Sequence, residues 1–185
     1  MKNPKLASRY AGALYEFAVE TGNVENAYHD ILHIKELIAS HHELKTILES
    51  PVVTYDKKLA IIRKVFQHHF CGVVFDFLTL VVKKRRTPQL LMICEQFIKI
   101  YYLNHHIKEA YITTAQLLSE KTEQHIKTIL EEDYPFTFIM HFTVDPTIIG
   151  GIIIKIEDLY FDAAIKTKIN KLKREFSQNV YATGF

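Results

Sequence analysis

Hydrophobic positions recur every three or four residues through the first hundred residues and then switch to alternation. Tyr10, Leu14 and Phe17 form one stripe, with Ala7, Ala11 and Ala18 a flatter one beside it. That spacing predicts a helix opening at Asn3-Pro4, where Asn caps and Pro loses no needed N–H. Gly22 ends it, and Asn23 is expected to cap a second helix carrying Ala27, Ile31, Ile34, Leu37 and Ile38. Ser40 and Glu43 read as a capping box for a short third helix with Leu44, Ile47 and Leu48, which Ser50-Pro51 breaks. Thr54 is expected to cap a fourth, with Leu59, Ile62 and Phe66 inward and Lys57, Lys58, Arg63 and Lys64 outward. Gly72 to Val82 is almost wholly apolar, so periodicity cannot separate helix from strand. Its length and its helical neighbours predict a central fifth helix. Thr87-Pro88 repeats the cap-then-Pro start for a sixth, through Leu91, Cys94, Phe97, Ile98 and Tyr101.

From Ile107 the period becomes two. Ala110, Ile112 and Thr114 alternate with Glu109, Tyr111 and Thr113, predicting a strand. Ser119 caps a predicted helix with Ile126, Ile129 and Leu130, and Phe136 to Val144 alternate as a second strand. Asp145-Pro146-Thr147 is turn chemistry, Gly150-Gly151 is expected to form a hairpin, and Ile152-Ile153-Ile154 is a β-branched strand run. After a short bend, Asp162 is expected to cap a last helix whose apolar residues are Ile165, Ile169, Leu172 and Phe176, spaced four, three and four apart. The fold class is therefore α+β, mostly α. A six-helix bundle spans 1–106, and a small domain of a short sheet with two helices spans 107–185.

Hydrophobic residues make up 48% of the 185, enough for a core in each part. No stretch approaches the roughly 18 uncharged apolar residues of a membrane span. The Met1-Lys2-Asn3-Pro4 start lacks the apolar core of a secretory signal, so a protein kept in the cytoplasm is expected. Residues 1–106 carry 14 basic and 10 acidic residues, net +4, and the remainder 9 and 11, net −2. Neither part builds the single-sign field of a dedicated nucleic-acid binder.

Candidate chemistry is sparse. His29 and His33 lie four apart on one helix face, which is ligand spacing, but no His-Glu-x-x-His motif or third ligand accompanies them. The His41-His42, His68-His69 and His105-His106 doublets fall at breaks between elements. Cys71 and Cys94 have no CxxC spacing and read as buried small hydrophobes. Gly150-Gly151 lacks the P-loop pattern and the following helix that a phosphate cradle needs. No Ser or Cys sits in a nucleophile motif. Lys83-Lys84-Arg85-Arg86 and the Lys166, Lys168, Lys171, Lys173, Arg174 face keep a nucleic-acid-binding adaptor as the alternative reading. The plain reading of the first run is a cationic complement to a helix C-terminus.

Two groups of residues carry a family resemblance. Asp145, Ile148, Gly150, Gly151, Ile152, Ile154 and Asp162 resemble the C-terminal signature of the delta subunit of F-type ATP synthases, whose mitochondrial counterpart confers oligomycin sensitivity. Ala164 departs from it, standing where the family often has Ser. Arg9-Tyr10-Ala11 with Ala13-Leu14 and Ala18 is similar to that family's first helix. Ser50-Pro51 followed by Lys58 resembles the start of its fourth, and Arg86 the usual Arg before its sixth. The resemblance implies a non-catalytic stator part without cofactor, metal or active site. It implies one copy per complex, on the cytoplasmic face of the bacterial inner membrane, held to that membrane only through the complex. The helical domain would hold an alpha-subunit N-terminus between helices one and five, and the C-terminal domain the b subunits of the peripheral stalk. Under it, Tyr10, Ala11, Leu14, Ala18, Phe75, Leu78 and Val82 are expected at the alpha-subunit contact. Asp145, Gly150, Gly151 and Asp162 are expected as structural supports. The small-residue stripe of helix one otherwise reads as close helix packing, and Leu14→Asp is expected to weaken binding to the head.

Overall fold

The computed structural model describes residues 4–66 and 70–179, so the Asn3 cap and the His68-His69 doublet lie outside the described residues. The chain divides into two units, Met1–Asn104 and His105–Phe185. It is mostly helical, with one small four-stranded sheet in the second unit.

In the first unit, α1 (Pro4–Glu20) begins on its proline and stops at Gly22, whose φ of +67° suits a residue without a Cβ. Gly22 N–H donates to Val19 O and Asn23 N–H to Ala18 O, satisfying carbonyls that the helix end leaves open. Asn23 holds the cap position of α2 (Val24–Ser40) without bonding as a cap. Its side-chain amide donates back to the Thr21 carbonyl instead. The Ser40–Glu43 capping box does not form. Ser40 stays in the last turn of α2, where its hydroxyl donates to Glu36 O, and His41 occupies the cap position of α3 (His42–Glu49).

Lys58, expected outward on α4 (Tyr55–Phe66), is instead buried. Its ammonium donates to Leu48 O at 2.7 Å and to Thr87 Oγ1 at 3.0 Å, and the Thr87 hydroxyl donates to the same carbonyl. A cation at the C-terminal end of α3 complements open carbonyls, which is the physical reason for the inward turn. Thr87 is accordingly no helix cap. It opens a 3-10 turn, Thr87–Gln89, ahead of α6 (Leu90–Asn104).

The apolar run from Gly72 is helical: α5 (Gly72–Lys83). Its N-terminus is capped from another helix, Asp30 of α2 accepting Cys71 N–H at 2.7 Å. Its C-terminus closes through Arg85 at φ +57°, with Arg85 N–H on Val82 O and Arg86 N–H on Val81 O. The core of this unit gathers Ala7, Ala11, Leu14, Ile31, Ile34, Leu78, Val81, Ile93 and Phe97, all under 2% exposed. At its edge Tyr28 and Tyr101 stack at 3.9 Å, and Tyr101 donates to Glu25 at 2.7 Å.

In the second unit β1 (Ile107–Thr114) is followed by α7 (Glu120–Asp133), which Ser119 caps by accepting Thr122 N–H. β2 (Thr137–Val144) returns parallel to β1, as a strand–helix–strand crossover allows. β3 (Ile152–Ile156) lies antiparallel on the other side of β1, and β4 (Leu159–Asp162) on the far side of β3. The strand order is β2-β1-β3-β4. Ala110, Phe138 and Ile156 meet Leu130 of α7 in a small core.

This topology corrects the expectation of a Gly-Gly hairpin, because β2 and β3 are separated by β1. The segment Asp145–Gly151 is a crossover loop containing a 3-10 turn, Pro146–Ile148. The hairpin of this region is β3–β4, turning at Glu157-Asp158 with Glu157 at φ +48°. The short bend expected before the last helix, α8 (Ile165–Asn179), is therefore strand β4.

Candidate functional site

α1 has two working faces. Ala7, Ala11 and Ala18 are wholly buried, their small size letting α1 lie close to its neighbours in the core. Their burial fits the close-packing reading of this stripe, and none of the three lines the cleft beside it.

A quarter-turn away, Leu6, Tyr10, Ala13, Leu14 and Phe17 line a cleft of about 850 Å³. Its opposite wall is Val73, Phe77 and Leu80 of α5. Tyr10 meets Phe77 edge-on at 6.4 Å, a ring contact that ties the two walls together. Phe17 and Leu80 remain 46% and 43% exposed, a large apolar area for a wall that touches water. Lys5, Arg9, Lys84 and Arg86 stand around the cleft against the single carboxylate of Asp76. Such a surface offers burial to an apolar segment, and the cations at its rim favour anionic groups beside it.

Of the contact residues expected from sequence, Tyr10 and Leu14 line this cleft. Leu14 is only 1% exposed and forms its floor. Ala11, Ala18, Leu78 and Val82 turn into the core instead, and Phe75 packs half-buried against that core away from the cleft. On α5 the cleft residues Val73, Asp76, Phe77 and Leu80 make one helical face, spaced 3, 1 and 3, and Lys84 follows four residues on at the C-cap. The sequence hid that face because nearly every α5 position is apolar, so no polar side marks which face is left over. Asp76 and Lys84 were the available signal.

The four signature residues converge in the second unit at the root of α8. Gly150 O accepts Ile165 N–H at 2.9 Å, and Gly151, at φ +83°, leaves room for the Ala163 main chain. Asp162, at the end of β4, accepts Ala164 N–H and the Thr167 hydroxyl, each at 2.9 Å. It thus secures the helix start from three residues before it. Asp145 accepts Thr147 N–H, and that bond, with Lys166 nearby, holds its carboxyl below the usual carboxylate range. Ala164 is 1% exposed, so a small residue suits this corner.

The remaining candidates take structural places. His29 lies beside Tyr28 and His33 beside Phe70. Among the described residues no three His, Cys, Asp or Glu side chains group as a metal site. Burial raises the Cys71 thiol and pushes that of Cys94 up to about 12, so neither is a poised nucleophile. The run Lys83–Arg86 terminates α5, and two of its members stand at the cleft. On the sheet, Tyr111 stacks on His141 at 4.8 Å and donates to Glu109, an exposed polar face. No described helix is long and apolar enough to cross a membrane.

Residues 6–176 match the sequence model of the family described as ATP synthase delta (OSCP) subunit. The chain is 32% identical over 176 residues to ATP synthase subunit delta of Amoebophilus asiaticus (strain 5a2), covering 95% of this chain and 96% of the relative. It is 33% identical over 178 residues to that of Halothermothrix orenii, covering 96% and 93%. The fold is similar to a chain of the Toxoplasma gondii mitochondrial ATP synthase hexamer determined by cryo-EM. The TM-score is 0.71, the identity 18%, and the match covers 92% of this chain and 97% of that one.

Proposed function

We propose, for a chain that belongs to the ATP synthase delta (OSCP) subunit family, which is a non-catalytic component of the peripheral stalk, a division of labour between its two units. The first unit, read as a six-helix bundle, holds the N-terminal helix of an alpha subunit in the α1–α5 cleft. The second grips the b subunits that rise from the membrane sector. One copy sits on the catalytic head, at the cytoplasmic face of a bacterial membrane, and membrane association comes only through the complex. The part is mechanical: it keeps the head from turning with the central shaft, so that proton flow is coupled to ATP synthesis.

The observation that supports this reading is the cleft itself. An amphipathic helix has a diameter of about 10 Å and an apolar stripe, and a trough walled by Tyr10, Phe17, Phe77 and Leu80 offers that stripe burial along two flanking helices. The four cations around it favour a segment bearing acidic residues beside its stripe. Tight water-excluding contacts are what a torque-bearing joint requires, and no catalytic set is needed for it.

The test is calorimetric titration of the full chain with a peptide copying the first helix of the same organism's alpha subunit, with single-stranded nucleic acid as control. Saturable binding of the peptide, weakened in Leu80→Ala, is expected. Absence of peptide binding by folded protein, with nucleic-acid binding that falls steeply with salt, would replace this reading by that of a nucleic-acid adaptor.

A further inference from the structure

In the second unit α7 covers only part of the sheet face it lies on. Leu130 packs with Ala110 of β1 and Phe138 of β2, and beyond them the face continues onto β3 and β4. Leu159 stands opposite Ile156 across the β3–β4 pair, and Phe161 opposite Ile154, so these side chains share that face. With Ile129 of α7 and Tyr134 just after it they wall an apolar groove of about 470 Å³. Ile129, Leu159 and Phe161 stay 44–60% exposed, on a sheet face of the kind that a helix ordinarily buries.

The same unit holds a helix whose apolar face is bare. Ile165, Ile169, Leu172 and Phe176 of α8 make one stripe, 37–70% exposed, and a helix of 15 residues is marginal in water unless a face is packed. Its fastening lies in the first turn, at Gly150 O and the Asp162 carboxylate. Connectivity, length and charge match this stripe to the groove. β4 ends at Asp162 and α8 begins at Ile165, so a helix returning antiparallel to β4 lays its stripe along Phe161 and then Leu159. Fifteen helical residues span about 22 Å, enough to cover the roughly 13 Å of a four-residue strand. The groove is lined by Asp133 and by no cation, and Asp158 stands in the turn between Ile156 and Leu159. Both acids lie at the sheet end where β1 and β2 begin and β3 stops, the end that the second half of a returning α8 reaches. α8 carries Lys166, Lys168, Lys171, Lys173 and Arg174 against Glu175 alone, and Lys171 and Lys173 flank Leu172.

We infer that α8 is a strap, hinged at its root, that closes over the β3–β4 groove of its own unit in the free chain. The structure shows the strap open. Closure turns about the few residues between Asp162 and Ile165, buries both apolar surfaces at once and brings the α8 cations to Asp133 and Asp158. A partner that uses either surface has to displace the strap, so the contact is autoinhibitory. The inference stands apart from the stalk-binding reading, because it concerns the chain alone.

The experiment follows hydrogen exchange of the full chain by mass spectrometry, comparing the wild type with Leu159→Asp combined with Phe161→Asp. Both positions are exposed, so the rest of the fold stays intact, which circular dichroism checks. The amides of α8 are expected to exchange about tenfold faster in the variant, although no residue of α8 has changed. A second measurement joins Leu159→Cys either with Leu172→Cys on the stripe or with Arg174→Cys on the opposite side of α8. Cys71→Ser removes the part-exposed native thiol, and Cys94 is wholly buried. Mild oxidation is expected to link the stripe pair and not the Arg174 pair. Unchanged α8 exchange in the groove variant, or equal linking of the two pairs, would overturn the inference. Protection or linking that rises with protein concentration would assign the cover to a second copy and overturn it as well.

Discussion

The carbonyl oxygen of Ala163 occupies the space that a Cβ on Gly151 would need. Two chain segments, the crossover into β3 and the link from β4 to α8, pass each other there with main chain against main chain. Gly151→Ala would therefore face both a φ of +83° and a backbone obstruction that cannot rotate away. The conformation alone costs roughly 1–3 kcal/mol. The expected result is a lowered unfolding temperature for the second unit with the transition of the first unchanged, read by calorimetry. Gly150→Ala should cost less, because the atom in its way is the terminal Cδ1 of the Ile165 side chain, which can move.

Lys58 and Thr87 should behave asymmetrically. Lys58→Met removes a buried ammonium while Leu48 O keeps the Thr87 hydroxyl, so the expected loss is within about 1 kcal/mol. Thr87→Val strips the buried ammonium of one of its two partners and should cost about 1–3 kcal/mol. Burial lowers the Lys58 pKa in the folded protein. The unfolded chain thus binds the proton more tightly, and stability conferred at this site rises with pH toward the ordinary lysine value of about 10.4. Urea titrations of wild type and Lys58→Met at increasing pH should show the wild type gaining on the variant.

Arg85 closes α5 in the left-handed region at φ +57° although it carries a side chain. Arg85→Gly relieves that and should stabilise the first unit by about 1 kcal/mol, seen as a higher urea midpoint with unchanged slope. No gain would mean that the Arg85 side chain contributes an equal interaction where it borders the loop at Pro51.

Cleft and core are separable by mutation. Phe17→Ala truncates a half-exposed side chain and should leave the unfolding midpoint nearly unchanged while weakening the alpha-subunit peptide about tenfold. Leu14→Asp, which the stripe alone marks as a binding-site probe, places a carboxylate at a position 1% exposed. It should unfold the first unit, at a cost of roughly 3 kcal/mol or more. Loss of binding in that variant with full helical content would contradict the core placement of Leu14.

The sequence by itself determined most helices and the change of period at Ile107, which are written in local spacing, the helical nature of the Gly72–Val82 run, which its length and helical neighbours gave, and the family, which particular residues in order carried. α1 ends at Gly22 and Ser119 caps α7 because those signals act within a few residues. Partner choice across the sheet was decided only by tertiary structure. Alternation tells which side chains share a face, not which strand lies beside which, so the crossover past β1 was invisible and Gly150-Gly151 read as a hairpin. β4 was missed because Glu157-Asp158 turns without glycine or asparagine, at a positive φ that the surrounding pairing imposes. Lys58 turned inward because a carbonyl ten residues earlier and a hydroxyl 29 residues later met it. The same holds for the cleft. Leu14, Leu78 and Leu80 are alike as residues, and only the packing of α1 against α5 and the core made two of them interior and left the third at the surface.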